Sequence, residues 1–349
     1  MSPRWKKRPD GSNWGDFGAD DQLGRLNLLT PDRVKQAAKE IKAGKAFCLS
    51  LPLDYPGGNL LNENRYPPIL RPNLRHGDVN MNYVLQQKNP DSHDVLCDDL
   101  AILHLQYSTQ WDGLCHVGSL FDALDDGNPK PFYYNGYSAE DYILAPASAQ
   151  DCGVGENMSS HSTCGAKALG IENMASTGVQ GRGVMIDLHK HFGNKREVVS
   201  FKALSQIMES DGITVEEGDM LCLHTGFADL ILQLNKQPDA ETLHNSCAVL
   251  DGSDIELQNW IRESGISVIA ADNYSVENYS ANLSHHNCSI LPLHHLCLFK
   301  LGIHLGELWH FTPLANWLSA NNRNRFFLTA PPLRLPGAVG SPVTPVATV

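Results

Sequence analysis

The segment Gln110-Trp111-Asp112-Gly113-Leu114-Cys115-His116 places a carboxylate and an imidazole four residues apart, just after an alternating run over residues 101–108. That run predicts a strand in which Gln106, Ser108, Gln110 and Asp112 face the same way. A turn at Gly113 would then bring His116 back toward that face. Carboxylate and imidazole around one point are what a divalent metal requires, and a neighbouring imidazole can take a proton from an activated water. The pattern predicts a metal-dependent hydrolase centred on Asp112 and His116. Standing alone, such a pair beside a turn is more often a cap than a catalyst, so the surrounding elements matter.

Residues 1–29, rich in Gly, Asp and Asn, read as an N-terminal arm lying over something else, and residues 30–349 as one catalytic domain. Thr30-Pro31-Asp32 opens a helix with an N-cap hydroxyl, a proline at the first helical position and an acid in the first turn. Gly44 is expected to stop it. Residues 46–53 read as a strand and residues 54–99 as long loops with little periodicity. Further along, helices are expected at 165–177, 200–210, 254–264 and 292–300. Strands are expected at 183–188, 219–224, 266–271 and 303–308, with a last one at 326–330 before a Pro- and Gly-rich tail. Strands and helices mix without strict repetition. This predicts an α/β protein with one mixed β-sheet or barrel-like core flanked by helices.

The composition narrows the function classes. A formal net charge of -12 speaks against a nucleic-acid groove, and the short basic run at residues 4–8 reads as a solvated arm. No run approaches the ~20 apolar residues of a membrane span, and no signal peptide is evident, so a cytoplasmic protein is expected. Nine cysteines are scattered without a CxxC pair. Cys48, Cys222 and Cys297 sit in apolar runs and read as small core residues in a reducing compartment. Cys115, beside His116, reads as core rather than nucleophile. The glycines at 178, 181 and 183 fail the dinucleotide-loop spacing. Ser159-Ser160-His161 resembles no nucleophile elbow, and His285-His286 reads as a solvated pair in a polar loop.

From Gln106 to His116 the chain resembles the signature HxGTHxDxPxH of the cyclase family of metal-dependent hydrolases, which includes bacterial kynurenine formamidases, isatin hydrolases and trans-dienelactone hydrolases. Ordered matches elsewhere support it: residues 20–34, Leu49-Ser50-Leu51-Pro52-Leu53, Gly181-Arg182-Gly183-Val184-Met185-Ile186-Asp187, Gly218-Asp219-Met220-Leu221, Thr225-Gly226, Ala271-Asp272-Asn273, Leu301-Gly302-Ile303 with Glu307, and residues 332–342. The resemblance implies the family's swivelling β/α fold. It also implies a metal-binding Asp at Asp112, a proton-handling His at His116, a later ligand at His294 with His295 as runner-up, and the late acid at Glu307. Gln106 and Gln110 stand where the family has histidines. An amide oxygen is a harder ligand than imidazole, which favours one divalent ion over two and lets Mn gain on Zn. Gln110 is open between ligand and neighbouring donor, His116 between ligand and base, and Glu307 between metal ligand and a catalytic carboxylate that orients the nucleophile, while Gln106 reads as packing in the strand. Glu307 lies in an apolar strand, where a carboxylate needs a buried partner. Trp111 and Tyr107 are expected to flank a flat pocket. The implied reaction is hydrolysis of an amide or ester bond in a small molecule, cyclic amides and lactones included, by a homodimer or higher homo-oligomer. A lyase or cyclisation reaction at the same site, and a binding protein with a decayed metal site, are the alternatives.

Overall fold

Nine strands form one mixed sheet in the computed structural model, which describes residues 3–153, 162–279 and 289–349. They are β1 (Ala46–Cys48), β2 (Gln110–Asp112), β3 (Gln180–Asp187), β4 (Met220–His224), β5 (Val268–Ala271), β6 (His304–Glu307), β7 (Arg325–Thr329), β8 (Gly340–Pro342) and β9 (Val346–Thr348). Their order is β1-β9-β7-β3-β4-β5-β6-β2-β8. The four central strands, β3 to β6, run parallel, and the strands outside them pair antiparallel. Parallel strands covered on both faces need apolar residues on both. Accordingly every residue of β4 and β5 is buried. Leu221 and Leu223 pack into the core on one face, and Met220 and Cys222 into the core on the other, as strand alternation requires.

Helices close these faces. They are α1 (Pro31–Ala38), α2 (Phe201–Ser210), α3 (Phe227–Gln233), α4 (Ile255–Glu263) and α5 (Thr312–Ala320). The Thr30, Ser200 and Asp254 side chains accept backbone hydrogen bonds at the starts of α1, α2 and α4. Leu204 and Ile207 of α2 and Leu257 and Ile261 of α4 enter one core, and Leu314 and Leu318 of α5 the other. Because β3 to β6 are parallel, their carboxyl ends align. Asp187 and His224 end β3 and β4, Asp272 follows β5, and Glu307 ends β6. Ligands of open α/β sheets gather along such an edge.

Several expectations are corrected. Strand β1 stops at Cys48, whose side chain is exposed on this edge strand while Phe47 turns inward. Helix α1 ends at Ala38, well before Gly44. The expected strand over 101–108 is only the end of Asp99–Ile102, followed by turns up to β2. The expected helix over 165–177 is a short strand, Gly165–Ala166, then a helix, Ile171–Ser176. The helix beginning at Pro292 opens into a π-helix over His295–Leu301. The Pro- and Gly-rich tail contains β8 and β9, so the strand at 325–329 is not the last. Residues 54–99 are not all loop: Ile69–Pro72 pairs with Asp99–Ile102, Leu74–Arg75 with Asp78–Val79, and Tyr83–Val84 with Val95–Leu96.

The segment before residue 30 packs on its own chain. Trp14 is buried and donates from Nε1 to the Phe299 carbonyl at 2.7 Å. Gly24 and Gly302 cross so closely that a Cβ on Gly24 would lie 2.1 Å from the Gly302 oxygen. No helix among the described residues is long and apolar enough to cross a membrane. Ser159-Ser160-His161 and His285-His286 lie outside the described residues.

Candidate metal centre

Strand β2 lies between β6 and β8, with Gln110 opposite Glu307 and Pro342, and Asp112 opposite Leu305 and Gly340. Gln110 and Asp112 share one face of β2. Trp111 takes the other, where it is fully buried edge-on against Trp309 (ring centroids 4.9 Å apart) and donates to the Ala330 carbonyl. Trp111 is therefore part of the core rather than a pocket wall. Glu307 comes from β6, and His294 from the short helix Pro292–His294. One ligand atom each from Asp112, His294 and Glu307 lies within 4.8 Å of the other two, and all three residues are buried. His294 Nε2 is 3.3 Å from Glu307 Oε1 and 3.9 Å from Asp112 Oδ2.

Burial alone would neutralise such a cluster. Burial does push the Asp112 carboxyl up, with the Glu307 charge adding to it and His116 and His294 opposing. For Glu307 the same burial is outweighed by the hydrogen bond and charge of His294, so it is held below the usual carboxylate range. Burial would lower His294, but Glu277 and Glu307 lift it to about 10.

Glu277 is the residue of this cluster that the sequence did not reveal. Fully buried, it accepts from His294 Nδ1 at 2.8 Å and from the backbone N–H groups of His294 and Leu293 at 2.9 Å. This fixes the His294 ring with Nε2 aimed at Asp112 and Glu307, as an outer carboxylate does for a metal-binding histidine. Its space depends on Gly252, where a Cβ would fall 1.9 Å from Glu277 Oε2. The available signal was a lone acid in the otherwise apolar and hydroxyl-bearing run Ser275-Val276-Glu277, which carries no recognisable spacing.

The residues fit a divalent cation. Gln110 Nε2 lies 3.4 Å from Asp112 Oδ1 and 3.2 Å from Glu307 Oε2, while its Oε1 is buried without a partner among the described residues. Turning the amide about its last bond would exchange the two atoms. The orphaned oxygen would then join two carboxylates and an imidazole, a donor set for a hard-to-borderline ion.

His116 stands at the rim, partly exposed, with Nε2 3.7 Å from Asp112 Oδ1; a turn from the Gly113 carbonyl to the His116 N–H brings it there. His295 points elsewhere, 3.3 Å from Ser119 Oγ and against Phe299, and burial pushes it down to about 4. Gln106 lies in a turn rather than a strand, and its Nε2 is buried without a partner among the described residues. Cys115 donates to the Leu169 carbonyl, and burial pushes its thiol up to about 12, which removes the thiolate that nucleophilic attack needs. Tyr107 donates to the Gly58 carbonyl and accepts from the Gly57 N–H, lining a small cavity with Arg65, Gln106, Tyr274 and Leu308.

The sequence profile of the Cyclase family, described as "Putative cyclase", matches residues 49–278, a span that holds Gln110, Asp112, His116 and Glu277. Among solved structures, a crystal structure of a novel cyclase aligns with a TM-score of 0.72 at 29% sequence identity, covering 97% of each chain. Isatin hydrolase A from Labrenzia aggregata, bound to benzyl benzoate, aligns with a TM-score of 0.55 at 13% identity, covering 90% of this chain and 98% of that one. Isatin hydrolase A from Ralstonia solanacearum gives 0.52 at 12% identity, covering 87% and 91%. At those identities the two hydrolases share the fold. No curated protein matches in sequence. The match over residues 49–278 takes in well over half of the molecule, and the chain belongs to the Cyclase family.

Proposed function

We propose that this protein is a metal-dependent hydrolase that cleaves an amide or ester bond, cyclic amides and lactones included, in a small-molecule substrate. One observation carries the reading: two carboxylates and an imidazole are buried within ligand distance of one another beside an orphaned amide oxygen. Asp112, His294 and Glu307 would hold one divalent ion, manganese or zinc, with Gln110 turned toward it. When bound, such an ion polarises a carbonyl and lowers the pKa of water toward neutrality.

The remaining work belongs to the chain. Glu277 keeps His294 in register. His116 is close enough to Asp112 to serve the site and open enough to exchange protons with solvent, so it takes the proton of the attacking water and returns it to the leaving group. The cysteines described are all free, which suits a reducing, cytoplasmic setting. The protein is further proposed to work as a homodimer or higher homo-oligomer.

The test is metal removal. Protein purified without chelator should carry close to one manganese or zinc ion per chain by elemental analysis. Dialysis against chelator should abolish turnover of a panel of aryl formamides, cyclic amides and lactones, and adding the ion back should restore it. Products formed in oxygen-18 water should carry solvent oxygen. Full turnover by metal-free protein would overturn the reading, and unlabelled product would move the chemistry to a lyase or cyclisation reaction.

A further inference from the structure

The carboxyl end of β3 borders a cleft of about 210 Å³ on the face of the sheet opposite the metal centre. Met185 lies in its floor and belongs, with Trp111, to the core behind Gln110 and Asp112. The cleft opens because β7 stops short of the end of β3. Val184 pairs with Arg325, and the Met185 N–H takes the Asn324 carbonyl at 2.8 Å, but Asp187 lies past that ladder. The end of β3 therefore has no strand beside it, and α5 and the chain after α2 wall the gap. Ile213 and Leu318 extend the apolar floor. At ~30 Å³ per water the volume equals about seven waters, room for a small organic molecule.

The charges on the wall are already matched. Lys190 Nζ donates to Asp211 Oδ1 at 2.7 Å, and Asp211 Oδ2 lies 2.9 Å from His191 Nε2. Arg323 Nη2 donates to the Glu40 carbonyl at 2.6 Å and lies 3.3 Å from Glu40 Oε2. Asp187 Oδ1 accepts from the Lys190 N–H at 3.0 Å and is 2.8 Å from His224 Nδ1. A ligand with a net charge would thus enter without a counter-ion. What stays unspent is polar. Among the described residues Asp187 Oδ2 and Asn324 Oδ1 accept no hydrogen bond, and the side chains of Ser319 and Asn322 make none. Arg323 Nη1 is buried there without an acceptor. An uncharged amide meets both kinds of group: its N–H suits the free acceptors and its carbonyl the free donors. Its apolar remainder would lie on Met185, Ile213 and Leu318, the usual division of labour in a small-molecule site. We propose that this cleft is a second ligand site of the chain, separate from the metal centre, and that it takes a small uncharged amide.

Calorimetric titration tests this with benzamide, with acetophenone, which keeps the shape and carbonyl but lacks the N–H, and with benzoate. Each would be titrated into protein as purified and after chelator dialysis. Benzamide should bind both forms alike, and acetophenone and benzoate about 10-fold or more weakly, the range for a lost hydrogen bond to a charged acceptor. Ser319→Trp, at an exposed position of α5 on the cleft wall, should fill the space and abolish benzamide binding while the urea midpoint holds. Asp187→Asn, with its oxygen kept on His224, would turn an amide N–H₂ to the cleft and erase the preference for benzamide over acetophenone. Should that variant fail to fold, Ser319→Trp still decides the matter. Glu307→Gln should leave benzamide affinity unchanged. No benzamide binding to folded wild-type protein at millimolar concentration would overturn the proposal. So would equal binding of benzamide and acetophenone, binding that Ser319→Trp leaves intact, or binding lost in Glu307→Gln, which would place the probe at the metal centre.

Discussion

At the scale of single residues, the site depends on groups that never touch a substrate. Glu277 is spent on three N–H donors, all from His294 and Leu293. Replacing it with Gln leaves the amide to donate or accept at the wrong atom, and the imidazole loses its fixed orientation. The expected result is metal binding weaker by about 10- to 100-fold, as for other outer-carboxylate changes, read by competition with a chromophoric chelator. Gly252→Ala should move affinity the same way without altering any ligand. The added methyl occupies the place of Glu277 Oε2, and the backbone there needs no glycine-only conformation. Unchanged metal affinity in both folded variants would remove Glu277 from the site. Gln110 and Asp112 were legible as residues sharing one face of a strand, while Glu307 and His294 came only through the family resemblance. The divergence of neighbouring helical side chains said that His294 and His295 could not both face one site, not which of them would. Glu277 escaped because a carboxylate that serves backbone donors across a fold leaves no local pattern.

At the scale of elements, the same carboxyl edge of the sheet holds a second polar cluster that ties β3, β4, β5 and α5 together. His224 Nδ1 is 2.8 Å from Asp187 Oδ1, and its Nε2 is 3.0 Å from Thr312 Oγ1 and 3.9 Å from Asp272 Oδ2. Burial acts to lower the His224 pKa, but the bond to Asp187 and the charges of Asp272 and Asp187 outweigh it and raise it. A histidine raised by folding contributes stability in full below its unfolded pKa, about 6.5, and loses that contribution as pH rises through the folded value. Asp187 is lowered: burial opposes this, but the His224 bond prevails, so its share appears above about pH 4 and is lost on acidification. Asp272, raised by burial, runs the opposite way. Comparison with His224→Gln isolates the histidine. The gap between the urea midpoints of wild type and variant should be widest near pH 6 and narrow as pH rises through the raised folded value of His224, and a gap that widens steadily with pH would exclude a charged His224. Elements were legible where burial set the pattern, as in β3 to β6, α2 and α4. They were misread where polar alternation came from turns. Thr109 Oγ1 donates to the Leu308 carbonyl and accepts from the Leu51 N–H, and Ser108 bonds to the Pro52 carbonyl, so the residues before β2 are held by loops rather than a ladder. The tail was misread for the reverse reason: β8 is a sheet-edge strand, where the missing N–H of Pro342 is tolerated.

At the scale of the whole molecule, the proposed homo-oligomer has a candidate contact surface in the paired segments between residues 69 and 102. Each strand is two to four residues long and pairs with one neighbour only. A two-stranded ribbon of that length is marginal in water unless something covers it. Leu70 and Leu74 are 69% and 75% exposed, and Val79 and Val95 are more than half exposed. Where exposed apolar side chains of this kind gather on one surface, they mark contact sites. The net charge of -12 repels a second copy in general, so the proposed association would come from burial of apolar area at a place where charges of both signs occur. The ribbons supply that place, with Arg71, Arg75 and Lys88 among Asp78, Asp94, Asp98 and Asp99. Light scattering at micromolar concentration should therefore return at least twice the chain mass, and the value should survive high salt, because apolar contact is not screened. The double variant Leu70→Asp, Leu74→Asp should fall to the mass of one chain while keeping the metal bound at Asp112, His294 and Glu307. A wild-type chain that runs alone, or a double variant with unchanged mass, would place the contact elsewhere or remove it.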